Sequence, residues 1–169
     1  MDKHNALEAY NMILLCHAGR YLLLRRAGTK RFAPGRWTGL GGRVEEGEFA
    51  DLHAAAFREV REETGIPAAE IADFTLRRAL LQARPGESLT VLLYFTGTLG
   101  EPVQPLSSEG TLEWVTEGDL ERLDIIENTR LVIPLLIEDV RRDPAGNEPV
   151  RVGAAHFRRD GELARIAWT

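Results

Sequence analysis

The stretch from Gly41 to Ile66, GGRVEEGEFADLHAAAFREVREETGI, constrains the fold of this chain more than any other part of the sequence. It begins with two glycines, ends with a Gly-Ile pair, and contains six Glu and one Asp. On an α-helix, Glu59 and Glu63 lie about 40° apart around the axis, and Glu62 lies about 60° to the other side of Glu59. The spacing therefore predicts a helix that projects three carboxylates from one face.

Two interpretations of this acidic face are open. It can be a solvated surface, or it can bind a divalent cation. Like charges three or four residues apart destabilise an isolated helix by a few tenths of a kcal/mol per pair, and a hard cation that takes several carboxylate oxygens would remove that repulsion. The glycines at both ends and the fixed spacings favour the cation. An apolar stripe of Leu52, Ala56 and Val60 is expected to pack against the core.

This stretch resembles the Nudix box of the Nudix hydrolases, which runs Gly, five residues, Glu, seven residues, and then Arg-Glu-apolar-any-Glu-Glu-any-Gly-apolar. Gly42 and Glu48 fit the first spacing, and the run from Arg58 to Ile66 fits every position of the second half. Between them the chain has nine residues, 49–57, where the family has seven.

The two additional residues leave two arrangements open for Glu48. Asp51 is a suitable helix N-cap, and a helix that starts after it keeps the extra length in the preceding loop, so that Glu48 can still reach the metals. A helix that starts at Glu48 would turn this residue by about 200° relative to Glu59 and away from the site. We expect the loop arrangement, with Phe49 fixing the start of the helix.

The remaining sequence predicts a single α/β domain over residues 1–169. Short apolar runs around turn residues predict β-hairpins within 10–25, 73–98 and 150–168. A second helix is expected from an Asn128 cap to about residue 142. Irregular alternation of strands and helices favours a mixed sheet, and the Nudix resemblance implies an α/β/α sandwich of that kind.

Composition narrows the classes of partner. The net charge of −5 and the pI near 5.5 argue against a nucleic-acid polymer. The N-terminus lacks the pattern of a signal peptide, and no apolar run approaches the length of a membrane span. We expect a cytoplasmic, monomeric protein without a membrane partner, in which the single Cys16 is a buried structural thiol.

The resemblance also implies a metal site. Carboxylates without His or Cys suit Mg²⁺, with Mn²⁺ as an alternative. Glu59 or Glu109 is the general base, although Glu109 can equally be an exposed loop carboxylate. Arg58 orients the ligand carboxylates. The residues that would form the metal site are Gly42, Glu48, Glu59, Glu62 and Glu63, and those with a catalytic role are Arg58, Glu59, Glu62 and Glu109.

Residues 30–42, 113–115 and 134–136 resemble the corresponding segments of the MutT and mammalian-type group of Nudix enzymes, which hydrolyse oxidised purine nucleoside triphosphates. This implies cleavage of 8-oxo-dGTP or 8-oxo-GTP to monophosphate and pyrophosphate. The chain departs from that group at Thr38, where the group has Asn, and at 126–129, where its aromatic platform is missing. The expected substrate-binding residues are Lys30, Phe32, Thr38, Arg43 and Asn128.

Some of these positions have a second interpretation. Phe32 either stacks on a base or anchors its loop against Trp37, and Arg43 either approaches phosphate or pairs with the acidic loop. Two other functions also remain open for the whole chain. One is a Nudix hydrolase of other nucleoside di- or triphosphates, nucleotide sugars or dinucleoside phosphates. The other is an inactive, ligand-sensing Nudix module.

Overall fold

A mixed β-sheet of eight strands forms the middle layer of the molecule. The computed structural model describes residues 7–102, 107 and 109–169. The strands are β1 (Glu8–His17), β2 (Arg20–Arg26), β3 (Trp37–Thr38), β4 (Ile71–Gln82), β5 (Thr90–Leu99), β6 (Gly110–Thr116), β7 (Arg151–Phe157) and β8 (Leu163–Trp168).

The strand order β3-β2-β1-β5-β4-β7-β8 combines hairpins with parallel pairs. β1 pairs with β5, and β4 with β7, in parallel, whereas the other neighbours are antiparallel. β6 pairs antiparallel with the whole length of β2. The three expected hairpins are present as β1–β2, β4–β5 and β7–β8, so the predicted mixed sheet is confirmed.

Two helices cover the sheet. The first, α1 (Leu52–Thr64), begins after Asp51, whose side chain accepts a hydrogen bond of 3.0 Å from the Ala54 N–H, and it ends at Gly65 in the left-handed conformation. The second, α2 (Glu127–Arg142), ends where expected. The expected cap at Asn128 is wrong, because the helix begins at Glu127 and Asn128 lies within its first turn.

Alternate residues of β1 separate the core into two layers. Ile13 and Leu15 pack on the side of α1, whereas Met12 and Leu14 pack on the side of α2. Burying each such side chain stabilises the fold by about 1.5–3 kcal/mol. The sheet is therefore enclosed between the two helices, which is the predicted α/β/α sandwich.

A buried ion pair joins α2 to the sheet. The Arg78 guanidinium on β4 donates two hydrogen bonds, of 2.6 and 2.8 Å, to the Asp139 carboxylate on α2. The Trp168 ring of β8 covers this guanidinium at 4.8 Å. Because the pair is bidentate and nearly inaccessible to solvent, it fixes α2 against the sheet.

Two expectations that rested on composition can be compared with the structure. Cys16 is only partly buried, because it lies near the end of β1, where its Sγ contacts Thr98 Oγ1 at 3.5 Å. In the described residues no helix is long and apolar enough to cross a membrane. The expected absence of a signal peptide depends largely on residues 1–6, which lie outside the described residues.

Candidate active site

A backbone ladder holds the glycine loop of the acidic stretch against β1. Leu40 and Ile13 exchange two backbone hydrogen bonds, of 2.7 and 3.0 Å, and the Asn11 N–H donates to the Gly42 carbonyl at 2.8 Å. Gly41 lies between these contacts with a φ of +131°, where a Cβ would overlap the Asn11 carbonyl oxygen. The loop is therefore rigid, and glycine is required at position 41.

Two carboxylates of α1 lie directly on this loop. The Gly41 N–H donates a hydrogen bond of 2.8 Å to Glu63 Oε2. A Cβ on Gly42 would lie 2.6 Å from Glu59 Oε2, so a larger residue there would displace that carboxylate. The sequence led to Gly42 as a site residue but did not lead us to expect that the Gly41 N–H donates to a carboxylate. The pair of adjacent glycines was the signal that could have indicated this contact.

Arg58 connects the remaining carboxylates. Its guanidinium donates to both oxygens of Glu48, at 2.6 and 2.9 Å, and its Nη1 lies 2.9 Å from Glu59 Oε1 and 3.0 Å from Glu62 Oε2. A further bond of 3.2 Å reaches the Arg43 carbonyl. One guanidinium therefore contacts three carboxylates, and the orienting role expected for Arg58 stays a prediction.

The two additional residues of the box lie in the loop before α1. Glu48 begins a 3₁₀ turn that ends at Ala50, and Asp51 then caps the helix. Because the helix does not start at Glu48, this carboxylate still reaches Arg58, and the loop arrangement is confirmed. The expected role of Phe49 is wrong, because its side chain is 49% exposed and fixes nothing in the core.

The three carboxylates of α1 are not equivalent. Glu59 and Glu63 are buried beside the glycine loop, whereas the side chain of Glu62 is 60% exposed. As the side chains stand, no three His, Cys, Asp or Glu residues in the described part of the chain converge closely enough to enclose a metal ion. Glu62 stands at the solvent edge of the predicted face, where it accepts a hydrogen bond of 3.0 Å from Arg58 Nη1, and its role as a metal ligand stays a prediction.

The electrostatics of the cluster nevertheless fit a hard cation. Burial raises the pKa of Glu63 to about 8, although the hydrogen bond from Gly41 opposes this shift. Burial also raises the pKa of Glu59, whereas the hydrogen bonds from Arg58 hold the pKa of Glu48 at about 2. Burial therefore leaves two carboxyls poorly solvated, and their oxygens are the donors that Mg²⁺ prefers. Glu59 and Glu63 would hold such an ion, and Glu62 could join them by a side-chain rotation.

Glu109 lies at the far side of the same cluster. The antiparallel pairing of β2 with β6 places Ala27 against it, with a backbone bond of 3.0 Å from the Ala27 N–H to the Glu109 carbonyl. Its carboxylate forms an ion pair with Lys30. Glu109 is close enough to contribute to the raised pKa of Glu63, and Arg26 is close enough to lower it. The sequence did not lead us to include Arg26 among the site residues. Its position at the end of a predicted strand, just before a loop rich in Lys and Arg, was a signal that could have been used.

Two expected substrate-binding residues lie on the surface beside the cluster. Phe32 is 63% exposed, its carbonyl accepts a bond of 2.9 Å from Arg26 Nε, and the Arg26 guanidinium lies 5.7 Å from its ring centroid. The ring therefore does not anchor its loop in the core. Arg43 pairs with Glu8 at 3.3 Å and not with the acidic loop.

Thr38 and Asn128 lie on adjoining segments at the start of α2. The Ile126 N–H donates to the Trp37 carbonyl at 2.9 Å, which holds this end of the helix beside β3. Asn128 contacts Gln82 at the end of β4. Among the described residues, no hydrogen bond or ion pair joins either side chain to the carboxylate cluster, so they form a second, separate group.

The family assignment follows from comparison with known proteins. The NUDIX domain model matches residues 7–136, which is more than half of the chain. The chain belongs to the Nudix family. Glycine loop, 3₁₀ turn and α1 are therefore the Nudix box of this protein, and the family generally uses a divalent metal such as Mg²⁺.

Solved structures of other Nudix proteins share this fold. The MutT protein from Bacillus halodurans has 22% identity and a TM-score of 0.67, with 95% of this chain and 97% of that chain covered. The MutT protein from Methanosarcina mazei has 25% identity and a TM-score of 0.61, with 82% and 97% covered. The dihydroneopterin triphosphate pyrophosphohydrolase of E. coli has 23% identity and a TM-score of 0.61, with 80% and 98% covered. This Nudix chain therefore spans nearly the whole length of each.

Proposed function

We propose that this Nudix protein is a magnesium-dependent pyrophosphohydrolase of nucleoside triphosphates that removes oxidised purine nucleotides from the nucleotide pool. The observation that carries this proposal is the pair of buried carboxylates, Glu59 and Glu63, held against a rigid glycine loop with raised pKa values. Such a pair is costly without a cation, and a cation beside it would receive the phosphates of a nucleotide.

Each residue of the cluster has a role in this proposal. Glu59, Glu62 and Glu63, with the main chain at Gly42, hold Mg²⁺ or Mn²⁺. When bound, the cation neutralises phosphate oxygens and polarises the attacking water. Arg58 keeps Glu48 and Glu59 in place through the bonds described above. Lys30 and Arg43 supply positive charge for the substrate phosphates.

The general base is assigned to Glu59 in preference to Glu109. Glu59 lies beside the glycine loop where the cation would be held. Burial raises its pKa only in the metal-free protein, because a bound cation would lower it again, so the assignment rests on position. Glu109 is already paired with Lys30, so it can accept a proton only after that pair opens. In the alternative, a substrate phosphate pairs with Lys30, and the released Glu109 carboxylate acts as the general base.

The preference for 8-oxo-dGTP or 8-oxo-GTP is supported by the group around α2 and by Phe32. The exposed Phe32 ring is available for stacking on a base, in place of the missing platform at residues 126–129. Thr38 and Asn128 offer hydrogen-bonding groups for the edge of the substrate base. The MutT names of two similar structures agree with this substrate class.

The test is product analysis in ¹⁸O-labelled water with 8-oxo-dGTP, dGTP and dCTP side by side. The proposal expects monophosphate and pyrophosphate, with the highest kcat/KM for 8-oxo-dGTP. Glu62→Gln should abolish turnover and leave the fold intact. Equal kcat/KM values for the three nucleotides would refute the preference, and unchanged activity of Glu62→Gln would refute the metal site.

A second candidate function is hydrolysis of another nucleotide-like substrate. The identity of the E. coli dihydroneopterin triphosphate pyrophosphohydrolase to this chain, 23%, lies between the 22% and 25% of the two MutT proteins. The chain also lacks the aromatic platform of the oxidised-purine group. A panel of diphosphates, dinucleoside phosphates and nucleotide sugars, ranked by kcat/KM, distinguishes the two candidates. A ligand-sensing module is disfavoured, because all three box glutamates of α1 are present; release of phosphate or pyrophosphate with Mg²⁺ would exclude it.

The remaining expectations about the whole protein belong to the same proposal. We propose that residues 1–169 act as one monomeric domain in the cytoplasm on a small-molecule nucleotide. The net charge of −5 supports a partner other than a nucleic-acid polymer.

A further inference from the structure

Asn11 of β1 is a buried amide that lacks a hydrogen-bond partner. The residue is 5% exposed, and neither Oδ1 nor Nδ2 forms a hydrogen bond with any group in the described part of the chain. Buried polar side chains are nearly always hydrogen-bonded, and an amide that leaves water without a new partner destabilises the fold. Packing of the core does not explain such a residue, because an apolar side chain would fill the same space without that loss.

The side chain of Asn11 points towards α1. Alternate residues of a strand share one face, and Ala9 and Ile13, the next residues on this face of β1, belong to the core layer on the side of α1. Leu93, which pairs with Asn11 on β5, lies in the same layer. The amide is therefore enclosed between the sheet and the helix that carries the box carboxylates.

The glycine loop brings this amide and one carboxylate together. Ile13 bridges Leu40 in antiparallel register. Two residues along, Asn11 lies opposite Gly42, and its N–H donates to the Gly42 carbonyl at 2.8 Å. Opposite Cβ positions lie about 5 Å apart on one face of such a ladder, and Glu59 Oε2 lies 2.6 Å from the position of a Gly42 Cβ. The Asn11 amide and the Glu59 carboxylate are therefore neighbours.

The two neighbouring groups complement each other chemically. Glu59 Oε1 lies 2.9 Å from Arg58 Nη1, whereas Oε2 accepts no hydrogen bond from the residues that the structure describes. Nδ2 of Asn11 carries two N–H donors, and both are unused. Hydrogen bonds from an N–H to a carboxylate are among the stronger ones in proteins. Asn11 thus offers a donor beside a carboxylate oxygen that lacks one.

We propose that Asn11 is a positioning residue of the metal site, whose Nδ2 donates to Glu59 Oε2 in the metal-loaded protein and holds that carboxylate in place for the cation. This inference rests on the metal site of the proposed function and adds a residue to it. It also assigns two opposite effects to one side chain. The amide lowers the stability of the metal-free protein, in which it is unpaired, and raises the affinity for the cation.

The test measures two quantities for Asn11→Leu, the urea midpoint of the metal-free protein in EDTA and the Mn²⁺ dissociation constant by calorimetry. Removal of an unpaired buried amide should raise the urea midpoint. Loss of a group that orients a metal ligand should weaken Mn²⁺ binding by about tenfold or more. Asn11→Val, with a smaller side chain that avoids overpacking, should show the same loss of affinity. Asn147→Leu makes the same change in an exposed loop and should leave the Mn²⁺ affinity unchanged.

A double-mutant cycle tests whether Asn11 acts through Glu59. In a Glu59→Ala background, Asn11→Leu should change the Mn²⁺ affinity by less than about twofold, because the acceptor of the proposed hydrogen bond is gone. In a Glu63→Ala background, which removes the other buried carboxylate of α1, Asn11→Leu should still weaken binding by about tenfold.

Three results would overturn the inference and leave the metal site standing. They are an unchanged Mn²⁺ affinity in Asn11→Leu and Asn11→Val, an undiminished effect of Asn11→Leu in the Glu59→Ala background, and a lower urea midpoint of both Asn11 variants in EDTA. The last would mean that the amide is a paired structural group. Absence of Mn²⁺ binding by the wild-type protein would instead overturn the proposed metal site and this inference together.

Discussion

The backbone N–H of Gly41 donates a hydrogen bond of 2.8 Å to Glu63 Oε2, and this bond joins the glycine loop to the carboxylate face of α1. Glu63 is buried, so this donor supplies part of the stabilisation that solvent would otherwise give to the carboxylate. The metal site proposed above thus depends on a main-chain group as well as on acidic side chains.

Gly41→Ala should both destabilise the fold and weaken metal binding. A Cβ at this position would overlap the Asn11 carbonyl, and the φ of +131° is unfavourable for alanine. We expect a loss of about 1–3 kcal/mol in the free energy of unfolding, measured by urea titration, and weaker Mn²⁺ binding in the folded variant. Gly100→Ala, where a Cβ meets nothing within 4 Å, is the control and should leave both quantities unchanged.

Metal affinity should increase with pH up to about 8. The pKa of Glu63 is raised by burial from 4.5 to about 8, so between these values the metal-free folded protein carries a proton that the cation must displace. Each pH unit below 8 should weaken Mg²⁺ binding by about tenfold, and binding should release about one proton near neutral pH. Calorimetry in buffers of different ionisation enthalpy measures both. A pH-independent affinity between 6 and 8 would contradict the assignment of Glu63 as a ligand.

The same shift predicts the pH dependence of stability in the metal-free protein. Between pH 4.5 and 8 the folded state binds more protons at Glu63 than the unfolded state does. The contribution of this group to the free energy of unfolding is therefore largest below about pH 4.5 and is lost as the pH rises towards 8. Urea unfolding with EDTA measures this decrease, and Glu63→Gln should remove it.

Arg58→Lys should lower activity more than stability. Lysine keeps the positive charge but cannot donate simultaneously to Glu48, Glu59 and Glu62 in the present geometry. Loss of a residue that orients metal ligands typically costs about 10–100-fold in affinity or activity, which Mn²⁺ titration and kcat/KM would measure. Arg61→Lys is the control, because Arg61 lies exposed on the same helix.

Asp139→Ala should destabilise the fold without a specific effect on the metal site. The substitution leaves the buried Arg78 guanidinium without its carboxylate, and such a loss costs about 3–5 kcal/mol. Urea titration measures the free energy of unfolding of this variant and of Glu138→Ala, in which an exposed carboxylate is removed. A similarly small decrease in both would show that the Arg78–Asp139 pair contributes little to stability. The Mn²⁺ affinity of the folded fraction should remain that of the wild-type protein.

Local sequence signals were sufficient to predict the box. The cap at Asp51, the stop at Gly65 and the spacing of the acidic residues are all determined within one helix and its ends. The position of the extra loop residues also followed, because the cap decides where α1 begins. The cap at Asn128 was wrong, since contacts of Ile126 with Trp37 set the start of α2.

The contacts between distant segments could not be predicted in this way. Lys30 meets Glu109 because β2 pairs with β6 in one register, and nothing within either segment indicates that register. Glu62 is more exposed than Glu59 and Glu63, and helical spacing alone does not show which of the three carboxylates the glycine loop covers.

The central claim is that the carboxylates on the glycine loop form a metal site at which nucleoside triphosphates are hydrolysed. The most direct test measures pyrophosphate release from 8-oxo-dGTP with Mg²⁺ by the wild-type protein and by Glu63→Gln. The account predicts rapid release by the wild-type protein and a loss of at least about 100-fold in kcat for the variant, with the fold retained. Equal release by the two proteins, or none by the wild-type protein from any nucleoside triphosphate, would contradict it.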